Sequence, residues 1–398
     1  MSLLYNSHSE RGAEVTTAVD LFAGCGGLTQ GFQNAGYDIT GAFEYWDVAA
    51  DCYEANFEHP VFRIDLSDVD TAVQNIRQLN PDIIIGGPPC QDFSHAGKRV
   101  EDKRASLTKS FALIISAIKP KAFVMENVDR ARKSYTYKDV RETLRAAGYG
   151  LTEKVLTASF CGVPQRRRRF FCIGILGGED GALETILNER MTEKETTVRD
   201  YFGDTLGTEY YYRHPRNYHR RAVFSIDEPA PTMRGVNRPI PKGYPGHPND
   251  AHVIDDNVRP LSTLERSLIQ TFPANFKWVG SKTDCEQMIG NAVPVKLAEF
   301  VATALRDHIE KKPRSLNDID KEPFISWLRT YKKYQSRTVS STLSNLRRAE
   351  RLVPFNEAET LSIYIALLNE AEGFSGLGAS VKSHLKSAVK LYFEYSTK

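Results

Sequence analysis

Apolar and polar positions follow two rhythms along the first 176 residues of the chain. Short apolar runs closed by glycine or proline predict buried strands, and segments with an apolar residue at every third or fourth position predict helices. Because the two kinds of segment alternate, we expect a doubly wound, mostly parallel α/β sheet. The predicted strands are 18–22, 39–43, 83–85, 122–125 and 170–175, and the predicted helices are 28–35, 48–57, 107–118 and 140–147.

The pattern changes beyond the predicted sheet. Proline, glycine, tyrosine and arginine become frequent over 177–260, which predicts a smaller, loop-rich domain. Helical spacing returns at 261–272 and at 294–309. The chain is then polar, with a regular apolar period, so we predict a separate small helical domain over 315–398.

Composition narrows the class of protein. With 398 residues, of which 41% are hydrophobic, the chain can bury a full core. The net charge of +2 does not by itself indicate a nucleic-acid partner, so such a partner must be argued from local patches. The six cysteines include no Cys-x-x-Cys pair and the nine histidines show no metal spacing, which argues against disulfides and a metal site. No signal peptide and no apolar stretch of transmembrane length is recognisable, so we expect an intracellular protein without a membrane partner.

Cys90 is the candidate nucleophile. It lies in Gly-Gly-Pro-Pro-Cys-Gln-Asp-Phe-Ser at 86–94, directly after the apolar run 83–85. The two prolines fix φ and remove two backbone donors, which holds the turn by shape. Chemistry in open α/β sheets collects at the carboxyl ends of such strands. The structural alternative is a small buried cysteine in a loop.

A glycine-rich turn indicates a nucleoside cofactor. Asp-Leu-Phe-Ala-Gly-Cys-Gly-Gly at 20–27 joins the first strand to the first helix, and glycines there let a ligand approach the backbone. Glu44 follows the second strand about 20 residues on, where a carboxylate can accept ribose hydroxyls. Asp65, after a further strand expected between 39–43 and 83–85, could accept from an adenine amino group. Either carboxylate could instead be a solvated surface group.

A carboxylate and a run of cations follow two further strands. Glu126 closes the strand 122–125, where burial would raise its pKa and let it donate a proton; its alternative role is a helix cap. Gln165, Arg167 and Arg169 alternate along a strand and would share one face. Convergent cations there favour an anionic or polar-base substrate, whereas a solvated face is the plain alternative.

Five motifs in order make the chain resemble the DNA (cytosine-5) methyltransferases, the S-adenosylmethionine-dependent family of bacterial modification enzymes. They are Asp-Leu-Phe-Ala-Gly-x-Gly-Gly (20–27), Pro-Pro-Cys-Gln-x-Phe-Ser (88–94), Glu-Asn-Val (126–128), Gln-Arg-Arg-Arg-Arg (165–169) and Gly-Asn-Ala-Val-Pro (290–294). The resemblance covers about 16–309. It implies a Rossmann-like catalytic domain at 1–176 and 261–312, with a target-recognition domain at 177–260. The helical accessory domain, 315–398, lies outside it.

The resemblance also implies the roles of the site residues. Cys90 would attack C6 of a cytosine flipped out of the duplex, while Glu126 engages N3 and the exocyclic amine. Arg167 and Arg169 would hold the carbonyl of the base and the catalytic loop. S-adenosylmethionine would contact Phe22, Gly24, Gly26, Gly27, Glu44, Tyr45, Asp65, Pro88, Asn291 and Val293. Tyr45 stands where relatives usually carry tryptophan.

Double-stranded DNA is the expected partner. The expected contacts are Gln91, Ser94, Lys98 and Arg99 in the loop after Cys90, and Arg213, Arg216, Arg220 and Arg234 in the target-recognition domain. We expect a cytoplasmic bacterial monomer that modifies chromosomal DNA at one short site, with a cognate restriction endonuclease as a further candidate partner.

Alternatives to this function stay open. One is an RNA (tRNA) cytosine-5 methyltransferase, and another is a catalytically silent DNA-binding protein. Ser94 and the basic, aromatic segment 210–221 favour DNA. For 315–398, whose first half is basic, accessory DNA binding, a protein or dimer contact and an inert cap are the three interpretations.

Overall fold

The computed structural model describes residues 15–89, 101–217, 219–309, 321–355, 358 and 360–396, with the backbone alone for 101–106, 321–322 and 372. Cys90 and the predicted contacts Gln91, Ser94, Lys98 and Arg99 lie outside the described residues. The chain divides into two compact units, Met1–Ala304 and Leu305–Lys398.

A seven-stranded sheet forms the centre of the first unit. Its strands run in the order β3-β2-β1-β4-β5-β8-β6. The first five are parallel, and β8 runs antiparallel to both of its neighbours, so the predicted mostly parallel sheet is confirmed. The strands are β1 (Thr17–Leu21), β2 (Asp38–Phe43), β3 (Val61–Phe62), β4 (Ile83–Gly86), β5 (Ala122–Val128), β6 (Tyr149–Thr157) and β8 (Arg168–Leu176), and the two-residue β7 (Gln165–Arg166) precedes β8.

Helices connect the parallel strands. They are α1 (Gly27–Asn34), α2 (Asp47–Glu54), α3 (Val69–Leu79), α4 (Glu101–Ile118) and α5 (Tyr135–Ala146). The strand order reverses between β1 and β4, which is the switch point where open α/β sheets bind ligands. Helix α3 and strand β6 were not predicted from the sequence. The first has a clear helical apolar spacing, whereas the second is an edge strand that carries the polar pair Glu153-Lys154.

The sheet is covered on both faces because successive strand residues point to opposite sides. Val19 and Leu21 pack with Ile76 of α3 and Phe111 of α4 in one apolar cluster. Asp20, between them, points the other way and accepts a hydrogen bond from Thr29 of α1. A second cluster joins α2 to helices from the C-terminal part of the unit.

Residues 177–309 contain short elements. The helices are α6 (Glu184–Glu189), α7 (Val198–Phe202), α8 (Thr263–Ile269), α9 (Lys282–Asn291) and α10 (Val295–Ile309). The strands β9 (Tyr210–Tyr212), β10 (Val223–Ser225) and β12 (Arg259–Pro260) form a small sheet in the order β10-β9-β12, and β11 (Ala230–Pro231) pairs with β7. This last pairing ties the loop-rich segment back to the strand that carries Gln165.

One stretch, Lys282–Ile309, is long and apolar enough to cross a membrane by length and composition. It comprises α9 and α10, and 67% of the apolar window is buried inside the protein, as in the core helix of a globular domain.

The second unit is helical. It contains α11 (Lys321–Thr330), α12 (Ser336–Leu352), α13 (Leu361–Glu370), α14 (Glu372–Ser375) and α15 (Ala379–Ser396). These helices enclose an apolar core of their own, in which Trp327, Leu346, Tyr364 and Phe393 are buried. The hydroxyl of Tyr364 donates to the carbonyl of Val353, which joins α13 to the end of α12.

Candidate active site

A cavity of about 580 Å³ opens at the carboxyl ends of β1, β2, β4 and β5. The residues that follow these strands form one wall, and the turn between α9 and α10 forms the other. All but one of the predicted cofactor residues line it, the exception being Gly26. The lining ones are Phe22, Gly24, Gly27, Glu44, Tyr45, Asp65, Pro88, Asn291 and Val293.

Two glycines of the turn after β1 are required by close packing. Gly26 has φ 92°, and a Cβ there would overlap the ring of Phe57. A Cβ on Gly27 would overlap the carbonyl oxygen of Val293, across the cavity's second wall. Gly26 therefore shapes the turn without lining the cavity, and Gly27 sets how closely the two walls approach.

Glu44 organises the same turn. One carboxylate oxygen accepts from the backbone N–H of Gly24 at 2.7 Å, and the other accepts from the N–H of Trp46 at 2.7 Å. Burial nevertheless raises the pKa of Glu44 because it removes the carboxylate from water. The side chain thus joins the end of β2 to the glycine turn, and it lines the cavity.

Aromatic and acidic groups complete this part of the cavity. Phe22 adopts φ 58°, a left-handed conformation that is costly for a bulky residue, and its ring lines the cavity. Tyr45 is 68% exposed at the cavity's edge. Asp65 lines the cavity beyond β3, where one of its oxygens accepts from the N–H of Ser67 at 2.9 Å.

Glu126 and Arg169 form a buried ion pair at the opposite side of the cavity. Oε1 of Glu126 lies 2.8 Å from Nε of Arg169, and the two side chains are 10% and 13% exposed. Burial raises the pKa of Glu126, while the positive charges of Arg169 and Arg167 oppose that rise. The pair therefore places a carboxyl group of raised pKa beside a fixed cation.

The turn that leads to Cys90 packs closely against Glu126. A Cβ on Gly87 would lie 3.2 Å from Oε2 of Glu126, which is tighter than ordinary packing, so a larger residue at position 87 would have to displace the carboxylate. The side-chain amide of Asn127 donates to the carbonyl of Pro88 at 3.1 Å and so ties the turn to β5. Cys90 itself comes two residues later and lies outside the described residues.

The arginine run alternates between the interior and solvent. Gln165 and Arg167 are fully buried, whereas Arg166 and Arg168 are exposed. Gln165 accepts from the N–H of Met233 and donates to Gln270, which fastens the loop-rich segment to the strand. The predicted shared face is therefore present for Gln165, Arg167 and Arg169.

Arg167 is a positioning residue in this structure. Its guanidinium donates to the carbonyls of Met233 at 3.0 Å, Gly290 at 2.9 Å and Ala292 at 3.0 Å. The side chain does not line the cavity, whereas Arg169 does. The resemblance implies that Arg167 and Arg169 hold the carbonyl of the base and the catalytic loop, whereas here the Arg167 guanidinium is bonded to backbone carbonyls and holds the turn at 290–292 in place.

The four arginines expected to contact DNA from the loop-rich segment differ in placement. Arg216 and Arg220 are exposed. Arg213 donates to the carbonyl of Thr232 at 2.6 Å, and Arg234 donates to the carbonyl of His214. Burial, together with the neighbouring arginine charges, lowers the pKa of Arg213 to about 10 and lowers that of Arg234. The second pair therefore organises the segment from within.

A buried polar chain that was not predicted from the sequence links β1, α1 and α2. The hydroxyl of Thr29 donates to Asp20 at 2.8 Å and lies 2.6 Å from the hydroxyl of Tyr53, which in turn lies 2.7 Å from a ring nitrogen of His59. Burial raises the pKa of Asp20 to about 7. An aspartate in an otherwise apolar strand was the available signal.

Other cavity residues were also missed, among them Trp46, Asn127, Met288 and Ala292. Trp46 follows β2, and Asn127 is the neighbour of Glu126 in β5, so position at a strand end could have identified both. Met288 and Ala292 flank the Gly-Asn-Ala-Val-Pro motif, where helix spacing alone does not indicate a cavity.

Comparison with known proteins gives consistent matches. The family model for the C-5 cytosine-specific DNA methylases matches residues 16–307. The chain is 55% identical over 297 residues to the Type II methyltransferase M.HindV of Haemophilus influenzae, covering 74% of this chain and 97% of that protein. It is 53% identical over 294 residues to the Type II methyltransferase M.HgiDI of Herpetosiphon aurantiacus, covering 74% and 95%.

Solved structures share the fold. The S. pombe Dnmt2 methyltransferase superimposes with a TM-score of 0.56 at 16% identity, over 74% of this chain and 99% of that one. A putative DNA modification methyltransferase from an E. coli prophage gives 0.54 at 21% identity, over the same shares. The mixed α/β fold with a central sheet is therefore that of methyltransferases.

Proposed function

The chain belongs to the family of C-5 cytosine-specific DNA methylases, and we propose that it methylates C5 of cytosine at one short sequence of duplex DNA through a covalent adduct of Cys90. The observation that carries the proposal is the buried pair of Glu126 and Arg169, which shares a cavity with the glycine turn. Gly87, at the start of the turn toward Cys90, packs closely against Glu126 of that pair.

The cavity fits S-adenosylmethionine as cofactor. Its lining offers an aromatic ring for adenine in Phe22 and carboxylates for polar nucleoside groups in Glu44 and Asp65. A cavity with several acidic groups also suits a cation such as a sulfonium. Asn291 and Val293 would close it from the α9–α10 side. When bound, the cofactor supplies an electrophilic methyl group to C5 of the base.

The protein's own groups make C5 reactive enough to accept that methyl. The Cys90 thiolate adds to C6 of cytosine, forming a C–S bond, while Glu126 donates a proton to N3, so that electron density collects at C5. The raised pKa of Glu126 suits a proton donor, and Arg169 holds its carboxyl group in place. Later loss of the C5 proton and breakage of the C–S bond release the base and regenerate Cys90.

DNA binding is proposed to involve the loop-rich segment. C6 of cytosine is inaccessible in a stacked duplex, so the base must be flipped into the cavity. Exposed Arg216 and Arg220 can contact phosphates, while half-buried Arg213 and Arg234 bind the backbone carbonyls of Thr232 and His214. We therefore assign target recognition to 177–260 and the catalytic domain to 1–176 with 261–312. The remaining helices, 315–398, form an accessory domain.

The biological role is proposed from the relatives. Two proteins that share more than half of the aligned residues are named Type II methyltransferases. We infer that the present protein modifies chromosomal DNA in the cytoplasm as a monomer, and that a cognate restriction endonuclease recognises the same site.

Bisulfite sequencing of a plasmid incubated with the protein and S-adenosylmethionine tests the reaction. We expect protected cytosines confined to one short sequence, and none when Cys90→Ala protein is used. Complete conversion of the plasmid, with labelled methyl appearing in tRNA, would favour the RNA alternative. The parent protein should also form a covalent adduct on DNA containing 5-fluorocytosine, because the adduct cannot lose fluorine as it loses a proton.

A further inference from the structure

The second unit lies beyond the match to the family. The family model ends at residue 307, whereas the unit Leu305–Lys398 folds around its own apolar core. The relatives M.HindV and M.HgiDI are covered almost completely by 74% of this chain. The cavity and ion pair described above contain no residue from this unit. The match to the family therefore gives no function for these helices.

One helix of this unit has a strongly basic surface. In α12, Val339, Leu346 and Ala349 are buried against the unit's core. The opposite side of the helix is exposed and carries arginine and serine. We call it the α12 basic face and define it by six exposed residues, Arg337, Ser340, Ser344, Arg347, Arg348 and Arg351.

This composition does not serve the stability of the helix. Arg347 and Arg351 are one turn apart, and like charges at that spacing destabilise a helix. Arg337 lies in the first turn, where the helix dipole disfavours a cation. Exposed serines such as Ser340 lower helix propensity relative to alanine. Glu350 is the one acidic residue in the helix. The arginines and serines of this face lower the stability of the helix. Their presence together on one face indicates that they bind a negatively charged ligand.

The charges of this face are available to such a ligand. None of Arg337, Arg347, Arg348 and Arg351 forms an ion pair with a residue that the structure describes. By contrast, Lys332 of the same unit pairs with Glu394 at 2.6 Å, and Lys382 donates to the carbonyl of Ser375 at 2.8 Å. Among the residues that the structure describes, the arginines of the face therefore have no acidic partner.

We propose that the α12 basic face binds the phosphate backbone of duplex DNA outside the methylated site. The inference rests on the proposed function, because that function brings duplex DNA to the protein. Arg337 and Arg351 are about 21 Å apart along the helix axis, and duplex DNA carries one negative charge per about 1.7 Å. Small serine side chains between the arginines let a phosphate approach the helix and offer hydroxyl donors.

The test compares three full-length variants. R347Q/R348Q/R351Q removes three charges from the face. K382Q/K386Q/K390Q is the matched control, since it removes three charges from α15 of the same unit, where Lys382 and Lys386 contact the ring of Phe374. R347K/R348K/R351K keeps the charges. Circular dichroism and thermal unfolding confirm that each variant folds before fluorescence anisotropy measures binding to duplexes of about 15 and about 60 base pairs.

The proposal predicts a specific pattern. The glutamine variant of α12 should bind the long duplex more weakly than the parent does, while its binding to the short duplex stays unchanged. The slope of log affinity against log salt concentration should be shallower by about 2.7 in this variant, because three phosphate contacts are lost. The ratio of parent affinity to variant affinity should therefore shrink about 40-fold between about 50 mM and about 200 mM salt. The lysine variant should retain most of the affinity, and the α15 control should behave as the parent.

Three results would overturn the proposal. Equal losses of DNA affinity in the α12 and α15 glutamine variants would mean that net charge, and not the position of the arginines, determines binding. Unchanged DNA affinity in the α12 glutamine variant would show that the face does not bind DNA. A loss of affinity confined to transfer RNA or to a protein partner would show that the face binds another class of ligand. Methyl transfer at saturating DNA separates this inference from the proposed function. A parent protein that binds DNA through α12 without methylating it would defeat the proposed function and leave the α12 site standing.

Discussion

The arginines of the strand-end cavity and those of the α12 basic face use one side chain in opposite ways. Arg167 and Arg169 are buried, and each is held by carbonyl oxygens or by a carboxylate. Arg347 and Arg348 are exposed and form no ion pair with the described residues. A buried cation costs desolvation that its fixed partners must offset, so the fold depends on it. An exposed cation stays hydrated and costs the fold little stability. Its removal should therefore leave stability nearly unchanged and weaken the binding of a polyanion such as DNA.

The comparison predicts that changes in the buried set act on catalysis or folding, whereas changes in the exposed set act on salt-dependent binding. Substitutions of buried and of exposed residues test this difference, and the largest effect is expected at Glu126.

Glu126→Gln should produce the largest loss. Glutamine keeps the shape of the side chain and its place beside Arg169, but it cannot donate a proton to N3 as a carboxylic acid does. We expect kcat for methyl transfer to fall about 10²- to 10⁴-fold at saturating DNA and cofactor, together with a loss of thermal stability because Arg169 loses its charged partner. Single-turnover transfer of labelled methyl measures the effect. Glu153→Gln is the control, because Glu153 lies in β6 and does not line the cavity. A kcat within a factor of three of the parent would exclude Glu126 as the proton donor.

Arg167→Met should reduce stability by about 3–5 kcal/mol, because it removes the side-chain donor to the carbonyls of Met233 and Gly290 and leaves the Ala292 carbonyl with Gln270 alone. Where the variant stays folded, its affinity for S-adenosylmethionine should also fall, since the 290–292 turn lines the cavity. Urea unfolding and calorimetric titration measure the two effects.

Arg168→Met provides the matched comparison for this prediction. It removes the same charge from the next position of the chain, where the side chain is 58% exposed and pairs with Asp129 at 3.0 Å. Its expected cost is below about 1 kcal/mol. Similar costs for the two variants would contradict the division between buried and exposed arginines.

The sequence predicted the architecture better than the roles of individual cations. The strands β1 and β4 are recognisable because their buried apolar runs lead into glycine- or proline-rich turns, and those turns converge at the switch point of the sheet. The edge strand β6 escaped because its pair Glu153-Lys154 interrupts the apolar pattern.

The role of Arg167 could not be predicted from the sequence for a different reason. A run of arginines gives their shared face, but the carbonyls that bind Arg167 come from residues 66 to 125 positions away. The same limit applies to Arg213 and Arg234, which appear as DNA-binding cations in the sequence and bond to backbone carbonyls in the fold. Long-range contacts decide between these roles.

Asp20→Asn tests how the buried polar chain responds to pH. The pKa of Asp20 in the folded protein is about 7, above its ordinary value of 3.8. The folded protein therefore keeps a proton that the unfolded chain releases, and the free energy of unfolding falls as pH rises from about 4 to about 7. Asparagine does not ionise and can still accept from Thr29. The fall in unfolding free energy between about pH 5 and about pH 8 should be smaller in the variant by about 3 kcal/mol.

Asp82→Asn gives the opposite sign and serves as control for the pH prediction. Hydrogen bonds and the charge of Lys121 lower the pKa of Asp82, so its contribution is lost as pH falls. Parallel pH profiles for Asp20→Asn and the parent would mean that Asp20 is ionised in the folded protein.

R216Q/R220Q should have the smallest effect on the fold and sharpens the comparison of the two exposed sets. Both arginines are exposed, so we expect stability within about 0.5 kcal/mol of the parent. If they contact phosphates at the target site, the salt slope of DNA binding becomes shallower by about 2 on the short and on the long duplex alike.

The α12 glutamine variant should weaken binding to the long duplex alone. Because the two sets would contact different stretches of DNA, their losses of binding free energy should add in the combined variant. Losses that fail to add would mean that both sets compete for the same phosphates, and the α12 basic face would then belong to the target site.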